Sequence, residues 1–384
     1  IPEVAWSYSP ENLKSTADLE FANGLNRFVI HCSPHQPLDD KIPGLGLGPF
    51  GQWFTRHETW SSQAKYWMDY LARSSYLLQQ GKFVADVAVY YGEDNNITSL
   101  YRFHPPAVPE GYNYDFVNSD IILHELSMKN GQYTTKTGMQ YKVLFLDTNA
   151  KQMSLDVLRK IKSFVDAGGV VAGVQPIRAT GLNDNTKAFS DLVQSIWSSK
   201  NKNVIVGQTL QDVLEGLKIT PDVSYTKDKA NTVIYSVHRK TADREIYWVN
   251  NRTKDVINPT ITFRVTGKVP ELWFAETGKT EPLGYSIENG VTKVQLHMEG
   301  EDALFVIFKN KATKNKVSIT HPTIKTLATI EGAWNIAFQE KRGAPATATL
   351  NSLDSWTNHN NPGIKYFSGT ASYTKSIKVD AAWL

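Results

Sequence analysis

The chain has 384 residues, 41 lysines and arginines against 38 aspartates and glutamates, and a formal charge of +3. That length predicts about two to four domains, and so balanced a charge argues against nucleic acid or an anionic membrane as partner. One cysteine, Cys32, excludes an internal disulfide framework and a zinc–thiolate cluster. No segment approaches ~20 uninterrupted apolar residues, so no membrane span is predicted.

In chain order, Leu13 to Ala22 reads as a helix and Asn26 to His31 as a strand, with Arg27, Val29 and His31 on one face. A long loop follows, with the run GLGLGPFG, and then a helix near Gln63 to Gln80. That helix repeats apolar residues at Ala64, Trp67, Met68, Leu71, Ala72 and Leu78, with Ser75 on the same face and Gly81 as its stop. A short strand followed by a residue-rich loop has the pattern of the C-terminal face of a (β/α) barrel.

From Lys82 the pattern becomes βα alternation. FVADVAVYY, MQYKVLFLD, VVAGV and NVIVG read as strands, separated by helices at Ser119 to Leu126, after Ser154, and at Ala188 to Trp197. Leu210 to Leu217 is the last helix, and the alternation predicts a parallel, flavodoxin- or amidotransferase-like sheet. PEGYNYDFVN, Pro109 to Asn118, reads either as a crossover loop or as a cover over the barrel mouth. Beyond Pro221, short alternating runs from TVIYSVHRK to ALFVIFK predict an antiparallel β-sandwich. The fold expected is therefore multidomain, α/β plus all-β. The expected divisions are 1–81, the end of a barrel; 82–220, the parallel-sheet domain; 221–312, the sandwich; and 313–384, a partial jelly-roll sandwich. The chain is read as a piece of a longer polypeptide.

The candidate site residues concentrate in the first part. His31, at the end of the expected barrel strand, is suited to hold a sugar hydroxyl, or equally to be a satisfied core histidine. His35 and Gln36 lie in a loop stiffened by Pro34 and Pro37. Phe50, Trp53 and Trp60 offer faces for a sugar ring, with packing on the next helix as the plainer alternative. Glu58 is the only carboxylate between Gly44 and Trp60. Glycosidases use two carboxyl groups, and Glu3 and Glu58 are the candidates by position alone. The run GEDNN could offer oxygens to calcium, or be a solvated loop. In the last block His359, Lys365, Tyr366 and Tyr373 could form a sugar-facing surface.

The ordered set GLNRFVIH–SPHQP, GLGLGPFG, YLARSSYLLQQG, VADVAVYYGED, PEGYNYDFVNSD and ELWFAETGK resembles the C-terminal portion of alpha-L-rhamnosidases of glycoside hydrolase family 106. GIKYFSGTASYTKSI resembles the sugar-binding sandwich of family 2 glycosidases. The resemblance implies release of terminal alpha-L-rhamnose from plant polysaccharides, with inversion, by paired glutamates and a calcium ion. It further implies a periplasmic or secreted location, and a pocket lined by His31, His35, Gln36 and the GPFG loop. Ile1 to Trp6 does not match the glutamate-bearing context of the family, so the resemblance places both catalytic acids upstream. Alternatives are a glycan-binding module without catalysis, or a beta-galactosidase-related hydrolase.

Overall fold

The computed structural model describes residues 8–33, 35–41, 53–93, 95–101, 105–181, 185–320 and 325–383. They form two compact units: 10–28 with 66–319, and the described parts of 1–9, 29–65 and 320–384.

In the larger unit the first helix, Pro10–Ala22, buries Leu13, Ala17, Asp18 and Phe21. Phe21 is fully buried and meets Phe28 and Trp248 edge-to-face, with ring centroids 5.0 and 6.2 Å apart. Asp18, also fully buried, takes hydrogen bonds from the Tyr70 hydroxyl and from Lys14 Nζ, the latter at 2.9 Å. Burial raises its carboxyl pKa, against the attraction of Lys14. The helix Ala64–Leu78 buries Trp67, Leu71 and Leu78 of the expected face, but the buried stripe is rotated to take in Tyr70, Ser74 and Leu77 and leaves Ala72 exposed. Tyr70 decides this, because it reaches Asp18 and stacks on Trp67 at 5.8 Å. Gly81 then ends the segment at φ +56°, and a Cβ there would lie 2.0 Å from the Lys240 carbonyl oxygen.

No strand forms over Asn26 to His31, and this corrects the sequence expectation. Among the described residues nothing pairs with it, and a strand without a neighbour has no ladder to stabilise it. Val29 stands 93% exposed.

The parallel sheet holds β1 (Val87–Tyr90), β2 (Tyr114–Val117), β3 (Val143–Leu146), β4 (Val170–Gly173) and β5 (Val204–Ile205), in the order β2-β1-β3-β4-β5. Its central strands are apolar runs because both faces are covered. Tyr90, Leu144 and Leu146 pack with Leu158, Ile161 and Phe164 of the helix Leu155–Asp166 on one face. Val87, Val89 and Val143 pack with Val213 and Leu214 on the other. Two readings of the sequence change here. The segment 109–118, taken as a loop or cover, contributes the edge strand β2. FVADVAVYY is not one strand: Lys82–Phe83 pairs antiparallel with Arg239 and Lys240, and only Val87–Tyr90 joins the parallel sheet.

The sandwich faces a six-stranded sheet, containing Ile234–Lys240, Glu245–Asn251 and Ala303–Lys311, against a five-stranded one containing Thr260–Phe263 and Val291–Gln295. Tyr247, Val249, Val306 and Phe308 meet Ile261, Phe263 and Val294 in its core. In the smaller unit Thr347–Leu350, Trp334–Phe338 and Ala371–Thr374 make a three-stranded antiparallel sheet.

Between the parallel sheet and the sandwich lies a buried charge network. His238 places Nδ1 2.9 Å from Asp222 and Nε2 3.2 Å from Glu245, and its ring stacks on Tyr247 at 3.8 Å. Arg264 joins Asp222, at 3.3 Å, to Asp86, at 3.0 Å, and Lys142 also meets Asp86. Burial opposes the charged imidazole, yet the two carboxylates outweigh it and raise the His238 pKa. Burial likewise opposes the Glu245 carboxylate, but hydrogen bonds from His238 and Lys240 bring it down to about 2.

The signs set the pH response. Stability from His238 is complete below its unfolded value of 6.5 and is lost as pH rises through the higher folded value. Stability from Glu245 is present above 4.5 and is lost as pH falls towards about 2. Urea denaturation should therefore show wild type losing stability above neutral pH through His238, a loss absent in His238→Gln. At pH 6 the same variant should be destabilised by ~3–5 kcal/mol, because it breaks a buried pair. Parallel pH profiles for the two proteins would refute this.

Candidate functional site

The described parts of the loop between His31 and the Ala64–Leu78 helix are held by short-range polar contacts. Phe54 N donates to the Cys32 carbonyl at 2.9 Å. The Arg56 guanidinium donates to Asp39 Oδ1 at 2.6 Å and to the Gln36 carbonyl at 3.1 Å. His57 N donates to Thr55 Oγ1, and Glu58 N to the Thr55 carbonyl, closing a turn. Ser61 N then donates to the Glu58 carbonyl, and the 3₁₀ turn Ser61–Gln63 leads into the helix. The Trp60 indole is anchored too, donating to the Tyr8 carbonyl at 3.1 Å and meeting Phe54 edge-to-face at 5.7 Å.

This turn forms one wall of a cleft of about 700 Å³. His57, Glu58 and Trp60 line it from one side, and Gln339, Arg342, Trp356 and Thr370 from the other. Glu58 is only 4% exposed. His57 Nε2 is buried and has no hydrogen-bond partner among the described residues, so it can still donate or accept. Trp356 is fixed rather than free. Its indole N–H donates to the Tyr373 hydroxyl at 2.6 Å, its ring stacks on that of Tyr373, and Phe367 meets it at 5.3 Å. A rigid aromatic edge, amide and hydroxyl groups, a guanidinium and a buried carboxylate together suit a polyhydroxylated ligand.

The sequence candidates divide. Glu58 and Trp60 line the cleft, whereas His31, His35, Gln36 and Trp53 do not. His31 and His35 are exposed, and Gln36 and Trp53 half-buried. Phe50 and Glu3 lie outside the described residues. Of the residues singled out in the last block, only Tyr373 joins the Trp356 cluster. Lys365 sits over the Tyr366 ring at 5.7 Å, and His359 Nδ1 accepts from Asn361 N. Gln339, Arg342 and Trp356 were missed, and no local motif announces them: their role comes from the fold bringing two remote segments together.

Among the described residues no three histidine, cysteine, aspartate or glutamate side chains converge to hold a metal. In the GEDNN run, Glu93 already accepts from Ser119 Oγ, Ser154 N, Ser154 Oγ and Thr180 Oγ1. Asp94 lies outside the described residues.

Residues 2–287 match the model of an alpha-L-rhamnosidase family, glycoside hydrolase family 106. A rhamnosidase from Novosphingobium sp. PP1Y has a solved structure with a TM-score of 0.92 and 39% identity, covering 98% of this chain and 37% of its own. A Formosa agariphila protein provisionally named a beta-glucuronidase is 36% identical over 317 residues, 81% of this chain and 26% of that protein. The chain thus spans little more than a third of the first relative and about a quarter of the second.

The exposed Arg56–Asp39 pair and the Trp60 hydrogen bond differ in expected weight. Asp39→Asn should change the unfolding free energy by less than ~1 kcal/mol. Trp60→Phe should cost ~1–3 kcal/mol, because it leaves a carbonyl unpaired and thins the packing on Phe54. Urea denaturation of both variants checks the order, and a larger loss for Asp39→Asn would overturn it.

Proposed function

The chain belongs to the alpha-L-rhamnosidase family of glycoside hydrolases, family 106, and we propose that it contributes sugar-contacting residues to an enzyme releasing terminal alpha-L-rhamnose from plant polysaccharides. The observation that carries the division of labour is the cleft itself: among the described residues, Glu58 is the one carboxylate that lines it. Inversion needs a general acid and a general base with carboxyl groups roughly 6.5–9.5 Å apart, so that water fits between base and sugar. One buried glutamate cannot fill both roles. As the family resemblance implies, the catalytic pair is assigned to sequence upstream of this chain, and Glu58 to holding a hydroxyl.

In this reading His31, His35 and Gln36 hydrogen-bond the sugar and Trp53 offers it a flat apolar face, at a place apart from the cleft that Glu58 lines. Trp60 acts through the turn that it anchors. No step is assigned to calcium. Among the described residues no helix is long and apolar enough to cross a membrane. A polysaccharide substrate, too large to enter a cell intact, places the enzyme in the periplasm or outside the cell.

Hydrolysis of an aryl alpha-L-rhamnoside tests this, comparing the present chain with one that extends upstream. Turnover is expected only from the longer chain, and there His31→Ala and His35→Ala should each lower kcat/KM about 10–100-fold, the loss of one or two polar contacts to the transition state. Turnover by the present chain alone would put catalysis on residues it contains, Glu58 first. Turnover by neither would favour glycan binding without cleavage.

A further inference from the structure

The larger unit holds a cavity of about 660 Å³ where the chain passes from the strand Lys82–Phe83 towards β1. Lys82 lies directly opposite Lys240 in the antiparallel pairing, and Glu245 lies opposite Lys240 in turn, so the three side chains share one face. Like charges placed opposite each other repel. Lys240 has Glu245 to offset it, at 2.8 Å, but Lys82 meets no carboxylate among the described residues. Its Nζ donates to the Gly138 carbonyl at 3.3 Å.

Around this cavity the cations outnumber the carboxylates that serve them. Glu245 is shared by Lys240 and by Lys268, at 3.5 Å, besides His238. Asp86 is shared by Lys142, at 2.9 Å, and Arg264, at 3.0 Å, and Arg264 also meets Asp222. Five fixed cations, Lys82, Lys142, Lys240, Lys268 and Arg264, thus face three carboxylates, and His238 adds to the excess when protonated. Asp86 and Arg264 make a floor that is 3% and 20% exposed, whereas Lys82 and Lys240 stand exposed at the rim. An ammonium has three N–H donors, so Lys82, Lys142 and Lys240, which all line the cavity, keep donors to spare. The rest of the lining includes apolar Val84 and Met139 and the amides of Gln132 and Gln140.

We propose that this cavity binds a carboxylate-bearing sugar of monosaccharide size, its carboxylate held by Lys82, Lys142 and Lys240 and its hydroxyls by Gln132 and Gln140. The volume is that of a small-molecule site. A carboxylate there makes charge-assisted hydrogen bonds and offsets the repulsion between Lys82 and Lys240. A neutral sugar would leave the excess charge uncompensated, and a cation would add to it. An inorganic anion would leave Val84 and Met139 without a partner, whereas a sugar ring lays its C–H groups against them. That the organic part is a sugar rests on the glycosidase reading above, but the negative charge rests on the lysines alone. None of these residues lines the cleft at Glu58.

Amide chemical shifts of the isotope-labelled chain locate the ligand, because Gly138 and Thr241 line this cavity whereas Ser61 and Thr370 line the cleft at Glu58. Titration with sodium D-glucuronate should move the first pair saturably and leave the second in place. Lys82→Gln should raise Kd about tenfold, the worth of one charge-assisted hydrogen bond. Lys82→Arg keeps the charge and should hold Kd within about twofold, and Arg342→Gln, in the other cleft, should leave it unchanged. D-glucose and inorganic phosphate should each bind about tenfold more weakly than glucuronate. Glucuronate shifts absent from Gly138 and Thr241, an unchanged Kd in Lys82→Gln, or phosphate binding as tightly as glucuronate would each overturn the proposal. The readout is binding and not turnover, so such a failure leaves the catalytic reading standing.

Discussion

The larger unit depends on keeping several charges buried where two sheets of different kind meet. Asp86 sits between Phe83, which belongs to an antiparallel sheet, and Val87, which starts a parallel one. The chain changes partners there, so the backbone ladder cannot bind the two sheets to each other. Side chains do so instead: Arg264 from beside the sandwich strand Thr260–Phe263 reaches Asp86, and Asp222 links the same arginine to His238 and Tyr247. Such a network contributes less than apolar packing of equal volume would, but it is costly to break once formed. It also fixes register, because a slip of one residue would turn His238 away from Glu245 in its own sheet and from Asp222 beside the five-stranded sheet.

Legibility in the sequence followed how local each signal was. Ser154 before the apolar stripe of Leu155–Asp166 announces its helix, and the Ser154 side chain accepts from Val157 N as an N-cap should. The apolar runs VAVY and VLFL announce central strands because both their faces are buried. Tyr114–Val117 was hidden since an edge strand is covered less fully, and three of its four residues are half-buried. Asn26 to His31 misled in the opposite way. Its alternation satisfies the pattern of a strand, but pattern cannot supply the neighbour that a strand must hydrogen-bond.

The site was legible to the same limited degree. Glu58 and Trp60 stand out as a carboxylate and an aromatic in a loop otherwise rich in glycine, and both line the cleft. Its opposite wall comes from the last block, where Arg342 and Trp356 look like ordinary surface residues when read alone. Trp356 becomes a fixed edge only through Phe338, Phe367 and Tyr373, all distant from the Glu58 turn in sequence. Residue type can nominate a wall of a binding site, whereas the pairing of walls belongs to the fold.

The parallel sheet shows how a fold can keep its form while its usual site is filled by its own side chains. In the order β2-β1-β3-β4-β5 the crevice for a ligand opens between β1 and β3, beyond their C-terminal ends. Glu93 follows β1 into that crevice, and the helix Leu155–Asp166, after β3, points its N-terminus there. A helix N-terminus attracts an anion through its unpaired N–H groups and its dipole. Here the anion is internal: the Glu93 carboxylate accepts from Ser154 N and Oγ, with Ser119 and Thr180 adding hydroxyls. A nucleotide phosphate would have to displace a covalently tethered carboxylate already held by four donors. The tether gives Glu93 a high effective concentration, so its own carboxylate competes strongly with any free anion at this helix N-terminus.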